Sequence, residues 1–285
     1  MAIQMDGRLV AQQTRARLAE QVRELAEQGI RPGLAVVLVG EDTASRVYVQ
    51  SKARACEELG ILSRQITLPA DTTQQQLAQL IAQLNADGEI HGILVQSPLP
   101  EHIDEAAITE LILPQKDVDA FHPYNVGRIM LGDYAFLPCT PAGILEILGH
   151  YGIDPAGKHC VVVGRSHIVG RPMSMLMLHA NATVTICHSH TRNLPELTRQ
   201  ADILVAAVGR AGFITADMVK PGAVVVDVGM NRDAQGRLCG DVDFAAVEPK
   251  AGYITPVPGG VGPMTVTMLM QNTITAARLY GGAGA

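Results

Sequence analysis

The sequence predicts an α/β protein of two domains, and three observations predict it. Short apolar runs alternate with stretches of helical periodicity along all 285 residues. A hydrophobic share of 47% over that length is enough to fill two moderate cores or one large one. The third is CVVVGRSHIVGRP, Cys160 to Pro172, where an apolar run breaks into a glycine-bounded loop and then a helix. A doubly wound parallel sheet places a pyrophosphate against such a loop.

Element by element, a polar-rich helix is expected over residues 7–28, a strand over 34–39, and a helix over 43–59 stopped by Gly60. A strand near 61–68, a helix from after Asp71 to about Leu84, and a strand over 92–96 complete a β-α-β-α-β unit, which right-handed crossovers fold into a parallel sheet. Residues 136–140 read as the passage to the second domain, with Thr140 capping a helix that opens at Pro141. Later strands fall at 203–207, 223–227 and near Tyr253, with a hairpin at 232–237 marked by Asp233 and Gly236. The last helix, from Met264, sets Val266, Leu269, Met270, Thr273, Ile274 and Ala277 along one side and needs a core to cover. The expected domains are 1–139, with 264–285 returning to it, and 140–263, the two flanking a cleft.

Composition narrows the partners. A formal net charge of −6 argues against a general nucleic-acid or anionic-membrane surface. Cys56, Cys139, Cys160, Cys187 and Cys239 are odd in number and form no CxxC pair, which suits a reducing cytoplasm. No apolar run approaches the ~20 residues of a membrane span, and the N-terminus lacks the apolar core of a leader.

In the second domain, Val161–Val163 read as a strand buried on both faces, Gly164 permits a tight turn, and Gly170 leads into a helix at Pro172 whose free N–H groups can face phosphate. The spacing is not GxGxxG, so an ordinary strand-to-helix loop is the competing reading. One strand later a carboxylate would select NAD. Residues 187–192 instead run Cys, His188, Ser189, His190, Thr191, Arg192, mostly donors. With Arg165 on the first loop, this favours the 2′-phosphate of NADP. His188 and His190 as metal ligands are the weaker reading, because no third ligand sits at a zinc-like spacing.

In the first domain, Ser45, Tyr48 and Lys52 fall along one side of a helix that follows a strand's carboxyl end, the edge where open α/β sheets place ligands. A solvated helix face is the commoner meaning of such a pair. Gln96 ends another parallel strand, in VQSPLP. The segment KDVDAFHPYNVGR, 116–128, reads as a loop rich in polar groups, with turn or cap duty expected for one of Asp117 and Asp119. In TPVPGGVGPMT, 255–265, three prolines and three glycines prescribe a path with little bulk, suiting either a flat ligand or a bare interdomain turn.

Taken in order, YVQSK, VQSPLP, KDVDAFHPYNVGR, PCTPAGI, GRSHIVGRP, CGDVDF and TPVPGGVGPMT closely resemble the bifunctional methylenetetrahydrofolate dehydrogenase/cyclohydrolase family over essentially the whole chain. The resemblance implies a folate-binding first domain, a Rossmann-like NADP-binding second domain and a homodimer in the cytoplasm. It further implies NADP-dependent oxidation of 5,10-methylenetetrahydrofolate and hydrolysis of the product to 10-formyltetrahydrofolate. Lys52 would be the general acid/base, Gln96 would orient its amine, Tyr48 would stack on the folate, and Asp119 would accept from pterin N–H groups. Ser45, Pro258, Gly259 and Gly260 complete the implied substrate site. Gly164, Arg165, Ser166, Ile168, Val169, Gly170, His188, Ser189, Thr140 and Gly209 form the implied cofactor site. Two departures stand out. Ala120 replaces the family's usual glycine, so the Asp119 loop is expected to follow a slightly different path, and Ser97 replaces the family's more usual leucine. The competing functions are a dehydrogenase without hydrolase activity, a nucleotide-responsive binding protein, and an NADP-dependent dehydrogenase for another small acid.

Overall fold

The computed structural model describes residues 1–281, with the side chains of residues 43 and 44 outside that description. The chain divides into two compact units, Gln13–Cys139 with Val266 onward, and Met1–Gln12 with Thr140–Thr265.

The first unit is built on three parallel strands in the order Leu62–Leu68, Gly33–Val39, Gly92–Val95. The central strand, GLAVVLV, is buried at every residue, as a strand covered on both faces must be. Helix Thr43–Leu59 starts where Asp42 accepts the Ser45 N–H at 2.7 Å. It stops at Gly60, whose φ of 75° turns its N–H back onto the carbonyls of Cys56 and Glu57. Helix Gln74–Ala86 opens with a capping box between Thr73 and Gln76. Its Leu77, Ile81 and Leu84 close over Ala35, Val37 and Ile93.

Two features of this unit differ from the sequence reading. Residues 116–128 are not one loop. The Ile93 N–H donates to the Lys116 carbonyl at 2.8 Å, so 116–118 extends the sheet edge. Pro123–Leu131 is then helical, because Pro123 suits a first turn and His122 Nδ1 accepts the Tyr124 N–H. A further helix, Glu105–Leu111, is capped by Asp104. It was hidden in sequence by its shortness.

The second unit carries six parallel strands, in the order Thr183–Cys187, His159–Val163, Ile203–Ala206, Val224–Asp227, Tyr253–Ile254, Ile3–Gln4. Ile3–Gln4 pairs with Tyr253–Ile254, which ties Met1–Gln12 to this unit rather than to the domain expected to begin at residue 1. The chain leaves His159–Val163 in one direction and returns on its other side at Ile203–Ala206, a topological switch point. The expected hairpin is present as Asn231–Arg232 against Leu238–Cys239. Thr140 does not cap its helix, which opens at Cys139; its hydroxyl instead meets that of Thr265 at 2.9 Å.

The last helix, Val261–Tyr280, starts three residues before its expected first residue, Met264. From Val266 it belongs to the first unit, where Leu269, Met270, Thr273, Ile274 and Ala277 are buried. Positions 282–285 of that expected helix lie outside the described residues.

Candidate active site

Lys52 is on the buried stripe of its helix, with Ser45, Val49 and Cys56, and keeps only 9% of its surface exposed. The solvated-face reading is therefore wrong for it. Its Nζ donates to Gln96 Oε1 at 2.7 Å. Gln96 is placed by the sheet, since its own N–H pairs with the Val37 carbonyl at 2.8 Å across the central strand. Its Nε2 donates to the Ser97 carbonyl at 2.8 Å, which fixes the amide so that oxygen faces the lysine. Ser97 itself donates to Glu105. Tyr48, one turn before Lys52, is partly buried, and burial raises its phenol pKa.

Asp119 brings the second charge. Burial pushes its carboxyl above the usual range, against the pull of Lys52. Burial likewise lowers the pKa of Lys52, while Asp119 and then Cys139 act to raise it. The amine is thus held between opposing influences, of which burial, favouring its neutral form, is the larger. Cys139 donates to Asp119 Oδ1 at 3.5 Å and to the Val118 carbonyl at 3.6 Å.

The other polar groups of 116–128 have structural work. Asp117 accepts from the His122 N–H and from Asn125 Nδ2, each at 2.8 Å, and so shapes the turn. Lys116 caps the Gln74–Ala86 helix through the Leu84 and Asp87 carbonyls. Three residues after Asp117, Ala120 is fully buried at φ 59°, the left-handed conformation that glycine adopts freely. The alanine therefore accepts strain, and the loop keeps a glycine's backbone geometry.

Sequence reading missed one residue here. Asn272 Nδ2 donates to the carbonyls of Val118 and Leu137, both at 2.8 Å, and so clamps the segment leading to Asp119 onto the last helix. The distance in sequence, 154 positions from Val118, left no local signal.

In the second unit, a Cβ at Gly164 would stand 2.2 Å from the Ala207 carbonyl oxygen, and one at Gly170 2.2 Å from that of Gly164. Both positions need glycine, and the loops after two adjacent strands touch there. The helix N-terminus is not open in the way expected. It begins at Gly170 rather than Pro172, and Ser166 takes its first donors, Val169 and Gly170 onto Oγ and Arg171 onto the carbonyl. Arg165, Ser166, His167 and Ile168 are exposed, as are Ser189, His190 and Arg192, while Val169 and His188 are partly so. His188 Nδ1 accepts the His190 N–H at 3.2 Å, so this loop is organised by its own groups. A glycine-walled turn with exposed arginines after two neighbouring strands fits a dinucleotide phosphate.

Gly209, after the next strand, has φ 68°. The 255–265 segment allows close approach, first of the chain's own N-terminus: the Gly7 N–H donates to the Gly259 carbonyl at 2.9 Å, and a Cβ on Gly7 would overlap the Gly260 oxygen. Pro258 is exposed.

Comparison with known proteins agrees with both halves. The tetrahydrofolate dehydrogenase/cyclohydrolase catalytic-domain model matches residues 5–119, and the NAD(P)-binding-domain model of the same enzymes matches 138–280. A bifunctional protein FolD from Bacillus mycoides (strain KBAB4) is 58% identical over 281 residues, covering 99% of this chain and 98% of the relative. The crystal structure of the bifunctional enzyme FolD from Campylobacter jejuni superposes with a TM-score of 0.96 at 49% identity, over 98% of this chain and 99% of that one. The Trypanosoma brucei dehydrogenase-cyclohydrolase, solved with NADP cofactor and an inhibitor, gives 0.94 at 39% identity, over 100% and 99%.

Proposed function

Since the chain belongs to the tetrahydrofolate dehydrogenase/cyclohydrolase family, we propose a division of labour among its residues for the family's two reactions. The enzyme is bifunctional: it oxidises 5,10-methylenetetrahydrofolate to the methenyl form with NADP⁺, and hydrolyses that to 10-formyltetrahydrofolate. Folate chemistry belongs to Gln13–Cys139 with Val266 onward, and the cofactor to the unit containing Thr140–Thr265.

Oxidation removes a hydride from the carbon that bridges two folate nitrogens, and both lone pairs stabilise the resulting cation. NADP⁺ supplies the hydride acceptor when bound. The chain's task is therefore alignment more than proton transfer. Tyr48 stacks on the folate, Asp119 accepts from pterin N–H groups, and Ser45 with Pro258, Gly259 and Gly260 completes the substrate contacts. Gly164, Gly170 and Gly209 give the cofactor room, Arg165 and Ser189 meet its phosphate, and Ser166 holds that loop in shape. Ile168, Val169, His188 and Thr140 line the same site.

Hydrolysis requires proton transfer. Water attacks the methenyl carbon and gives a proton to the neutral Lys52 amine. The adduct then releases its hydroxyl proton to solvent as the C–N5 bond breaks, and Lys52 returns its proton to N5, leaving the formyl group on N10 with one proton released overall. Gln96 Oε1 aims the amine throughout. The observation that carries this reading is the partly buried 2.7 Å contact between Lys52 and Gln96, with Asp119 close enough to act on the lysine's charge.

No helix among the described residues is long and apolar enough to cross a membrane. We place the enzyme in the cytoplasm, in keeping with its five free cysteines, and as a homodimer. In support of the latter, Thr183–Cys187 ends the six-stranded sheet with Ile186 exposed.

A paired assay on purified protein tests the function. NADPH formation from the methylene compound and decay of the methenyl compound should both be seen; absence of both in folded, NADP-binding protein would refute it.

A further inference from the structure

Behind the Gly209 turn lies a two-tier arrangement of buried carboxylates. Asp241 has no exposed surface. Its Oδ2 accepts the N–H groups of Val208 at 2.6 Å and Gly209 at 3.0 Å, and its Oδ1 accepts that of Arg210 at 2.9 Å and Asn231 Nδ2 at 2.8 Å. Three consecutive backbone donors thus converge on one side chain, which dictates the curvature of the turn. Asp227 fixes Asp241 in its place, accepting the N–H groups of Asp241 at 2.8 Å and Val242 at 3.0 Å. The close approach of the pair to neighbouring backbone depends on two glycines. A Cβ on Gly240 would stand 1.8 Å from Asp227 Oδ2, and one on Gly229 2.4 Å from Asp241 Oδ1.

The position of this turn gives the arrangement its meaning. It follows strand Ile203–Ala206, on one side of the topological switch point, where the Ala207 carbonyl abuts Gly164 of the neighbouring phosphate loop. Resting on the cofactor reading above, we infer that Asp241 is a positioning residue for NADP, its carboxylate holding Val208–Arg210 in the shape that receives the cofactor, with Asn231 and Asp227 holding the carboxylate. Asp241 does not touch the cofactor. It acts through three N–H groups that would otherwise turn elsewhere for acceptors.

The test is made on the full-length protein with Asp241→Asn and Asn231→Ala. Asparagine keeps the size of the side chain but replaces one acceptor oxygen with a donor, so part of the turn is released. NADP⁺ affinity, measured by titration calorimetry, should weaken at least tenfold in Asp241→Asn and two- to fivefold in Asn231→Ala. The KM for NADP⁺ should rise in step, while dehydrogenase kcat at saturating NADP⁺ and hydrolysis of the methenyl compound, measured without cofactor, stay within threefold of wild type. NADP⁺ affinity within twofold of wild type in folded Asp241→Asn would overturn the inference, as would loss of hydrolysis in proportion to loss of NADP⁺ binding. Should Asp241→Asn not fold, Asn231→Ala decides alone, and unchanged affinity there overturns it. Wild-type protein that binds NADP⁺ without turning over folate would count against the proposed function, while the comparison of affinities would still decide the role of Asp241.

Discussion

Lys52 Nζ and Gln96 Oε1 are 2.7 Å apart, and the pair is assembled from the carboxyl ends of two neighbouring parallel strands. The lysine comes from the helix after Gly33–Val39, the glutamine from the turn after Gly92–Val95. Because the glutamine is neutral, it orients the lysine without adding a counter-charge. Burial therefore remains the leading influence on the amine and lowers its pKa.

Gln96→Glu reverses that balance. A carboxylate at this distance favours the ammonium, so less neutral amine is present at neutral pH. Hydrolysis at neutral pH should fall roughly tenfold or more and recover as pH is raised, with the rising limb displaced to higher pH than in wild type. A pH profile with an unmoved limb would contradict the role of Lys52 as proton carrier.

Asn272→Ala leaves the partly buried Leu137 carbonyl without this donor and the Val118 carbonyl with only the Cys139 thiol. At about 1–3 kcal/mol for a group left unpaired, a loss of about 1–3 kcal/mol is expected in urea unfolding. The KM for folate should rise in the same variant, since the segment leading to Asp119 is no longer clamped.

Ala120→Gly removes a left-handed strain of about 1–2 kcal/mol but gives up a buried methyl and stiffens the unfolded chain less. The opposing effects nearly cancel. Stability should stay within about 1 kcal/mol of wild type and folate KM within about twofold. A large improvement in KM would mean that the alanine distorts the loop.

Asp227 tests the carboxylate pair by pH. Burial raises its pKa to about 6, with Asp241 adding to the rise and backbone donors opposing it. A carboxyl whose folded pKa is raised contributes stability that is full below its unfolded value and is lost as pH climbs through the folded one. The melting temperature of wild type relative to Asp227→Asn should therefore decline between about pH 4 and about pH 7. A flat difference would contradict the raised pKa.

Much of this was legible in the sequence because it is local. Helix Thr43–Leu59 was read with both its bounds, since Gly60 ends it and its apolar stripe has helical period. Lys52 and Gln96 were marked by their places after strands. The Asp117 turn was read as a loop because its helix begins at a proline, which also punctuates loops. Thr140 was misread as a cap because Thr-Pro is an opening signal, whereas the helix already runs from Cys139. Asn272 and Asp227 gave no signal, and Asp241 stood only within the motif CGDVDF, with no role attached to it. Each acts on backbone brought near by the tertiary fold, and hydrogen bonds of that range have no sequence period.

The most direct measurement is the paired assay applied to Lys52→Met, which keeps the apolar stem of the side chain and removes its amine, with the proton chemistry and the Gln96 contact that depend on it. Hydrolysis of the methenyl compound should fall roughly 10²–10⁴-fold, the usual contribution of a positioned acid/base, while NADPH formation from the methylene compound remains measurable. Undiminished hydrolysis in the folded variant would contradict the account.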